Sequence, residues 1–185
     1  MKRRHTLALA AAAVCVMITG CGDDGKKEQA AAAPAAQEKS ALKVAWLYPS
    51  PRADEGWSKQ HDEARELVQK QFGDKIQTTF VENVVGTADA ERVIRDLAAQ
   101  GNKLIFATSF EFMNPGLKVA KEYPDVKFEH CTGYKTAPNF NYYNARFYQA
   151  RYLAGKLAGS MTKNGRLGYV AAVPIPEVLQ GINAY

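Results

Sequence analysis

The sequence predicts an α/β fold, a doubly wound and mostly parallel sheet with helices between its strands. Three observations carry this. From residue 42 onward, short apolar runs of strand length alternate with amphipathic runs of helical period. The first run, Leu42 to Tyr48, is apolar apart from Lys43, as expected of a strand covered on both faces. Gly73, Gly101 and Pro124 close the helical runs. The connections are therefore short, and short strand–helix–strand units wind with right-handed crossovers.

The residues before this alternation carry a different pattern. Lys2, Arg3 and Arg4 open the chain, and Leu7 to Ile18 form an apolar core. Spanning a bilayer takes roughly 20 apolar residues, so residues 1–20 read as a secretory signal peptide. The core ends in Ile18-Thr19-Gly20-Cys21, which resembles a bacterial lipobox. That resemblance implies lipid attachment at Cys21 and cleavage before it. The competing reading is a plain signal peptide with an incidental cysteine. Residues 21–41 are rich in Ala and charge, contain Pro34, and hold no large apolar side chain before Leu42. They cannot bury a core and read as a flexible lipoprotein tether.

Composition narrows the function classes. The net charge is +5, and removal of the three leader cations leaves +2. A near-neutral domain gives no electrostatic argument for nucleic acid. Of three cysteines, Cys15 lies inside the leader and Cys21 at its end, which leaves Cys131 without an intrachain partner. The cysteines, His61 and His130 show no metal-ligand spacing. Neither G-x-S-x-G nor a phosphate-binding G-x-x-x-x-G-K occurs. The reading is therefore not an enzyme, with no cofactor and no metal.

The elements follow in order. After the first strand, a Pro- and Ser-broken loop runs to Asp54-Glu55-Gly56-Trp57. Asp54 stands where an N-cap would, and Trp57, Ala64, Leu67, Val68 and Phe72 form the apolar stripe of the next helix. Asp62, Glu63 and Glu66 read as its solvated face. Ile76 to Val81 is the second strand. Thr87 caps a helix whose buried stripe is Ala90, Val93, Ile94, Leu97 and Ala98. Leu104 to Thr108 is the third strand. Asn114-Pro115 reads as a cap followed by Pro at the first helical position. Val126 to Glu129 is the fourth strand and Asn139 to Tyr143 the fifth.

A long helix is expected over about Arg146 to Lys163. Its Ala154, Gly155, Ala158 and Gly159 allow close approach of another element. Leu167 to Val173 reads as a strand and Pro176 to Tyr185 as a helix. One strand and one helix do not bury their own faces. This reading expects residues 42–145 to form an N-terminal α/β lobe. Residues 146–164 form a crossover helix, and 165–185 begin a second lobe that the chain truncates.

Ligands of open α/β sheets bind beyond the C-terminal ends of the strands. Trp57 follows the first strand and is placed to stack on a flat ligand; as the start of an amphipathic helix it also fits a core role. Ser109 and Phe110 follow the third strand directly. Phe110 or Phe112 offers a second plate, or both pack the lobe. Arg146 follows the fifth strand, and its guanidinium suits acceptor atoms of a heteroaromatic edge; a surface ion pair is the plainer reading. His130-Cys131 invites a nucleophile reading. Neighbouring strand residues point to opposite faces, which argues against it.

Three segments together resemble a known family: the lipobox leader, DEGWSKQHDEAR (54–65), and LIFATSFEFMNP (104–115) paired with VKFEHCTGY (126–134) and NARFYQARYLAGKLAG (144–159). They are similar to the basic membrane lipoprotein (Bmp) family from about Lys43 to the last residue. The resemblance implies solute-binding proteins of ABC importers with the type 1 periplasmic binding protein fold. Two lobes would close on a purine base or nucleoside, with ABC permease subunits as partners and a lipid anchor holding the protein to a bacterial membrane. That places it in the cell envelope, on the periplasmic or extracellular face. The family's Asp-x-Gly-aromatic stretch falls on Asp54, Gly56 and Trp57. A ribose-gripping Asp of nucleoside-binding members falls at about Tyr48, which favours a free base. The alternatives are an extracytoplasmic sensing module for a signalling partner and a non-functional truncated product.

Overall fold

Residues 40–185 are described by a computed structural model of the protein. The expected signal peptide, Cys21 and the tether up to residue 39 lie outside the described residues. Five strands form one sheet: β1 (Leu42–Leu47), β2 (Ile76–Val81), β3 (Leu104–Ala107), β4 (Lys127–Cys131) and β5 (Phe140–Tyr143). Their order is β2-β1-β3-β4-β5 and every neighbouring pair is parallel. Helices α1 (Trp57–Phe72), α2 (Thr87–Ala99) and α3 (Met113–Glu122) connect the first four strands. Helices α4 (Phe147–Met161) and α5 (Pro176–Ala184) follow the sheet.

The strands alternate faces, and each face has its own chemistry. Ala45, Leu47, Ile105, Ala107, Phe128 and Phe140 face α2 and α3 and join one apolar core. Helix α2 contributes Ala90, Val93, Ile94, Leu97 and Ala98 to it, the stripe that its 3.6-residue period predicts. Burying one large aliphatic side chain of this kind stabilises the fold by about 1.5–3 kcal/mol. On the other face, Val44, Trp46 and Tyr48 form a smaller cluster, with Trp46 stacked on Phe106 at 4.7 Å.

Helix α1 covers that second face and departs from its predicted stripe. Its buried residues are Ser58, Asp62 and Arg65, while Leu67 is 67% exposed and Ala64 and Phe72 are exposed. The reading of Asp62 as solvated is therefore wrong. The reason lies in what α1 covers. Strand β2 is the sheet edge, and an edge strand presents unpaired backbone groups. Gln69 on the polar side of α1 meets that need: its Nε2 donates to the Ile76 carbonyl at 3.1 Å, and its Oε1 accepts from the Thr78 amide at 2.9 Å.

Three expected caps also move. Gly56, with φ of 112°, precedes α1, so Asp54 is not its N-cap; the Asp54 amide closes a turn onto the Pro51 carbonyl at 3.2 Å. Gly56 takes the position because its left-handed backbone disfavours a side chain. Gly86 caps α2, leaving Thr87 as its first residue. A 3₁₀ turn over Phe110–Phe112 leads straight into α3, which places Asn114 and Pro115 inside the first helical turn.

Helices α4 and α5 pack on each other. Gly155 is buried, and a Cβ there would collide with the Tyr185 carbonyl oxygen. Of the small residues expected to allow close approach, Gly155 does so, whereas a Cβ on Gly159 would meet nothing within 4 Å. Leu167 to Val173 is not a strand. A strand needs a neighbour for its backbone groups, and among the described residues none of the five strands borders this segment. Val170 is fully exposed there.

Candidate functional site

Strand order defines where a crevice opens. The chain leaves β1 toward α1 on one face and leaves β3 toward α3 on the other. Between the C-terminal ends of these adjacent strands the winding reverses, which is where open α/β sheets bind ligands. Trp57 stands at this point. Its indole Nε1 donates to the Thr108 carbonyl, at the end of β3, over 2.6 Å. Its ring lies 4.8 Å from His61 and 5.8 Å from Phe147, and it is 36% exposed. The donor is satisfied by the scaffold while part of the ring stays open. This is the arrangement of a fixed aromatic plate.

The loop before Trp57 is tied down at several points. Ser50 and Ser58 share a hydroxyl–hydroxyl bond of 2.7 Å. The Arg52 amide donates to Glu82 at 2.9 Å, and its guanidinium donates to Asp62 at 3.1 Å and lies 4.5 Å from the Phe80 ring centroid. Asp62 also accepts from Arg65 Nε at 2.6 Å and from the Tyr48 hydroxyl at 3.0 Å. Burial opposes the Asp62 carboxylate, but hydrogen bonds from Arg65, Arg52 and Tyr48 outweigh it and hold its pKa below the usual value. Burial, reinforced by Asp62, pushes the Tyr48 phenol up.

Tyr48 therefore corrects one expectation. It is fully buried beneath α1, and its hydroxyl is spent on Asp62. It does not stand in the crevice in place of a ribose-gripping group, so it carries no argument for a free base over a nucleoside.

The remaining predicted residues spread along the same edge. Ser109 is half-buried, and its carbonyl accepts from His130 Nε2 at 2.7 Å and from the Phe112 amide at 3.0 Å. Phe110 is half-buried, with its ring 6.2 Å from Tyr134 rather than against Trp57. Phe112 is fully buried in the core, so it is not a plate. Asp54 is exposed on the loop. Arg146 is exposed at the residue before α4, next to the Phe147 that touches Trp57, and forms no ion pair among the described residues. The structure thus gathers Trp57, the β3 end at Ser109 and the start of α4 at Arg146. Phe110 forms a second aromatic group with Tyr134.

Sequence reasoning missed His61, Phe147 and Tyr134. His61 lies one helical turn after Trp57, a spacing that would have found it; its Nδ1 sits 2.9 Å from the Trp57 carbonyl oxygen, and burial lowers its pKa. His130 and Cys131 are both buried, and burial pushes the Cys131 thiol up to about 11, far from a reactive thiolate. No group of three His, Cys, Asp or Glu side chains suited to a metal occurs among the described residues. An open depression of about 920 Å³ lies at the opposite end of the sheet, lined by Leu42, Lys43, Lys75 and Lys103, away from the plate.

The chain is similar to known binding proteins. A purine-binding protein of Brucella abortus is 56% identical over 151 residues, covering 82% of this chain and 43% of the relative. A putative ABC transporter glucose-binding protein of Haloferax volcanii is 45% identical over 147 residues, covering 80% and 37%. The solved structure of an ABC transporter system solute-binding protein from Conexibacter woesei superposes with a TM-score of 0.60 at 28% identity, covering 78% of this chain and 48% of that one. The chain thus spans less than half the length of these relatives, which are named as solute-binding proteins and not as enzymes. The family model described as ABC transporter substrate-binding protein PnrA-like (Bmp) matches residues 41–185, and the chain belongs to that family.

Proposed function

We propose that this chain supplies one wall of the ligand cleft of an ABC importer's solute-binding lipoprotein, and that the ligand is a purine base or nucleoside. The observation that carries the reading is the Trp57 indole tied to the Thr108 carbonyl at the winding reversal, with the ring part-open. A flat heteroaromatic ligand stacks on that ring. Arg146 donates to its acceptor edge, with Ser109, Phe110 and Asp54 lining the same end of the sheet. The purine-binding relative supports this ligand class. In this reading Cys21 carries the lipid anchor, the protein works outside the cytoplasm at the cell envelope, and permease subunits receive the ligand.

Calorimetry tests it on a chimera in which residues 41–185 replace the matching part of the Brucella relative. Adenine, hypoxanthine, adenosine and inosine are titrated, with glucose as the competing ligand class named for the Haloferax relative. Purine binding weakened by Trp57→Ala by about 1–3 kcal/mol supports the proposal. Glucose binding without purine binding, or a Trp57→Ala variant of unchanged affinity, defeats it. Mass spectrometry of the processed N-terminus tests the anchor: an acylated Cys21 is expected, and a chain starting elsewhere defeats it.

A further inference from the structure

Two arginines lie near the strand ends, and the structure gives them different work. Arg146 is exposed and forms no ion pair among the described residues. Arg52 is part-exposed but tied through both its side chain and its backbone amide. Its guanidinium is bonded to Asp62 of α1 and lies over Phe80 of β2, while its amide is held by Glu82 beyond β2. Asp62 is in turn locked by Arg65 and Tyr48, and Arg65 donates to Thr78 of β2 at 3.1 Å. The chain of contacts therefore runs from two strands through α1 to a single residue of the β1–α1 loop.

We propose that Arg52 is a positioning residue: it straps the loop from Pro49 to Gly56 into the buried Asp62 network and so fixes Trp57, without contacting ligand. The loop holds few other ties. Ser50 bonds Ser58, and the Asp54 amide closes its turn onto Pro51. Each of these lies within the loop or at the first turn of α1, whereas Arg52 reaches the sheet. A plate held before the ligand arrives costs less ordering on binding, so the strap acts on affinity through preorganisation. Its side chain is 44% exposed, so the strap is replaceable without opening the core. The effect on affinity rests on the cleft reading above; the strap itself does not.

Hydrogen exchange followed by NMR on the chain tests the strap. Arg52→Gln is expected to speed exchange of the Asp54 amide and the Trp57 indole proton by about five- to tenfold. The amides of Ile105 and Phe106 should keep the parent's rates, and the melting temperature should hold. Arg52→Lys, which keeps the charge, should restore part of the protection. In the chimera, Arg52→Gln should weaken adenine binding severalfold, whereas Arg146→Met should weaken it with Trp57 indole exchange unchanged. Unchanged exchange in Arg52→Gln overturns the strap, as does an equal acceleration in β3. Lost affinity with unchanged exchange also overturns it, because that marks a direct ligand contact. A parent chimera that binds no purine defeats the functional reading, and the exchange rates still decide the strap.

Discussion

Helices α1 and α2 cover opposite faces of one sheet and are held there by different chemistry. Helix α2 inserts Val93, Ile94 and Leu97 among Leu47, Ile105 and Phe128. Helix α1 lays a polar row against its face: Ser58 on Ser50, Asp62 on Tyr48 and Arg52, Arg65 on Thr78, and Gln69 on the Ile76 and Thr78 backbone. The difference follows from position. Helix α2 packs on interior strands whose backbone is already paired. Helix α1 overlies the edge strand and the β1–α1 loop, where backbone groups need partners. An apolar contact is tolerant of detail, whereas a polar row fixes one register of the helix against the sheet. The side that carries Trp57 is the side held by the more specific contact.

The comparison breaks most readily in the core. Ile94→Ala should cost about 2–5 kcal/mol in urea unfolding, with the same loss at pH 7 and pH 4. A pH-dependent loss would show that the α2 side is not purely apolar. Asp62→Ala should cost about 3 kcal/mol, because it removes the buried, short-range partner of Arg65 and leaves it only the longer contact to exposed Glu66 and the bond to Thr78. Here pH matters. The Asp62 carboxylate has a folded pKa below its unfolded value. Its contribution is therefore present above the ordinary Asp value of about 4, and is lost as pH falls through the folded pKa. The gap between parent and Asp62→Ala should narrow in acid; a constant gap would refute an ionic row. Replacing Asp62 and Arg65 together by Leu and Met should recover much of the loss. It should also release Arg52, so Trp57 indole exchange should rise even as stability returns.

Gln69→Ala probes the edge itself. Its amide serves one donor and one acceptor of β2, each reachable by water once the side chain is gone. The expected loss is about 1 kcal/mol, with faster amide exchange at Thr78 and unchanged exchange at Ile105. Equal acceleration at both would mean that Gln69 supports the whole sheet rather than its edge.

How much was legible in the sequence follows the same division. The α2 stripe, the span of β2 and the start of α5 at Pro176 could be read because apolar period and Pro placement report directly on burial against an apolar layer. The α1 face could not. Ser58, Asp62 and Arg65 are spaced as a helical face, yet a polar face reads as solvated unless its partners are known, and those partners are 13 or 14 residues away at Tyr48 and Thr78. Trp57 was legible as a candidate because it follows a strand. Its bond to Thr108, 51 residues on, depends on β1 and β3 being neighbours, which alternation of elements does not specify. Leu167 to Val173 misled because an apolar run states only what a segment would bury, not whether a strand lies beside it.

The smallest expected effect is the sharpest test of the polar row. Leu67 belongs to the apolar stripe that periodicity assigns to the buried side of α1, and the structure leaves it 67% exposed. Leu97 of α2 is 3% exposed, among the residues of the apolar core. If α1 docked through its apolar stripe, Leu67→Gln would strand a polar amide in the core and cost several kcal/mol. If α1 docks through Ser58, Asp62, Arg65 and Gln69, the same change occurs in water and should lie within about 0.5 kcal/mol of the parent. Gln is also close to Leu in helix propensity, so the helix itself contributes little to the difference. Urea midpoints of Leu67→Gln and Leu97→Gln, measured side by side, separate the two arrangements. A near-zero shift for Leu67 beside a large one for Leu97 supports the polar docking of α1. A loss above about 1 kcal/mol at Leu67 would place its side chain in a buried contact and remove the basis for assigning Arg52 and Asp62 to the holding of Trp57.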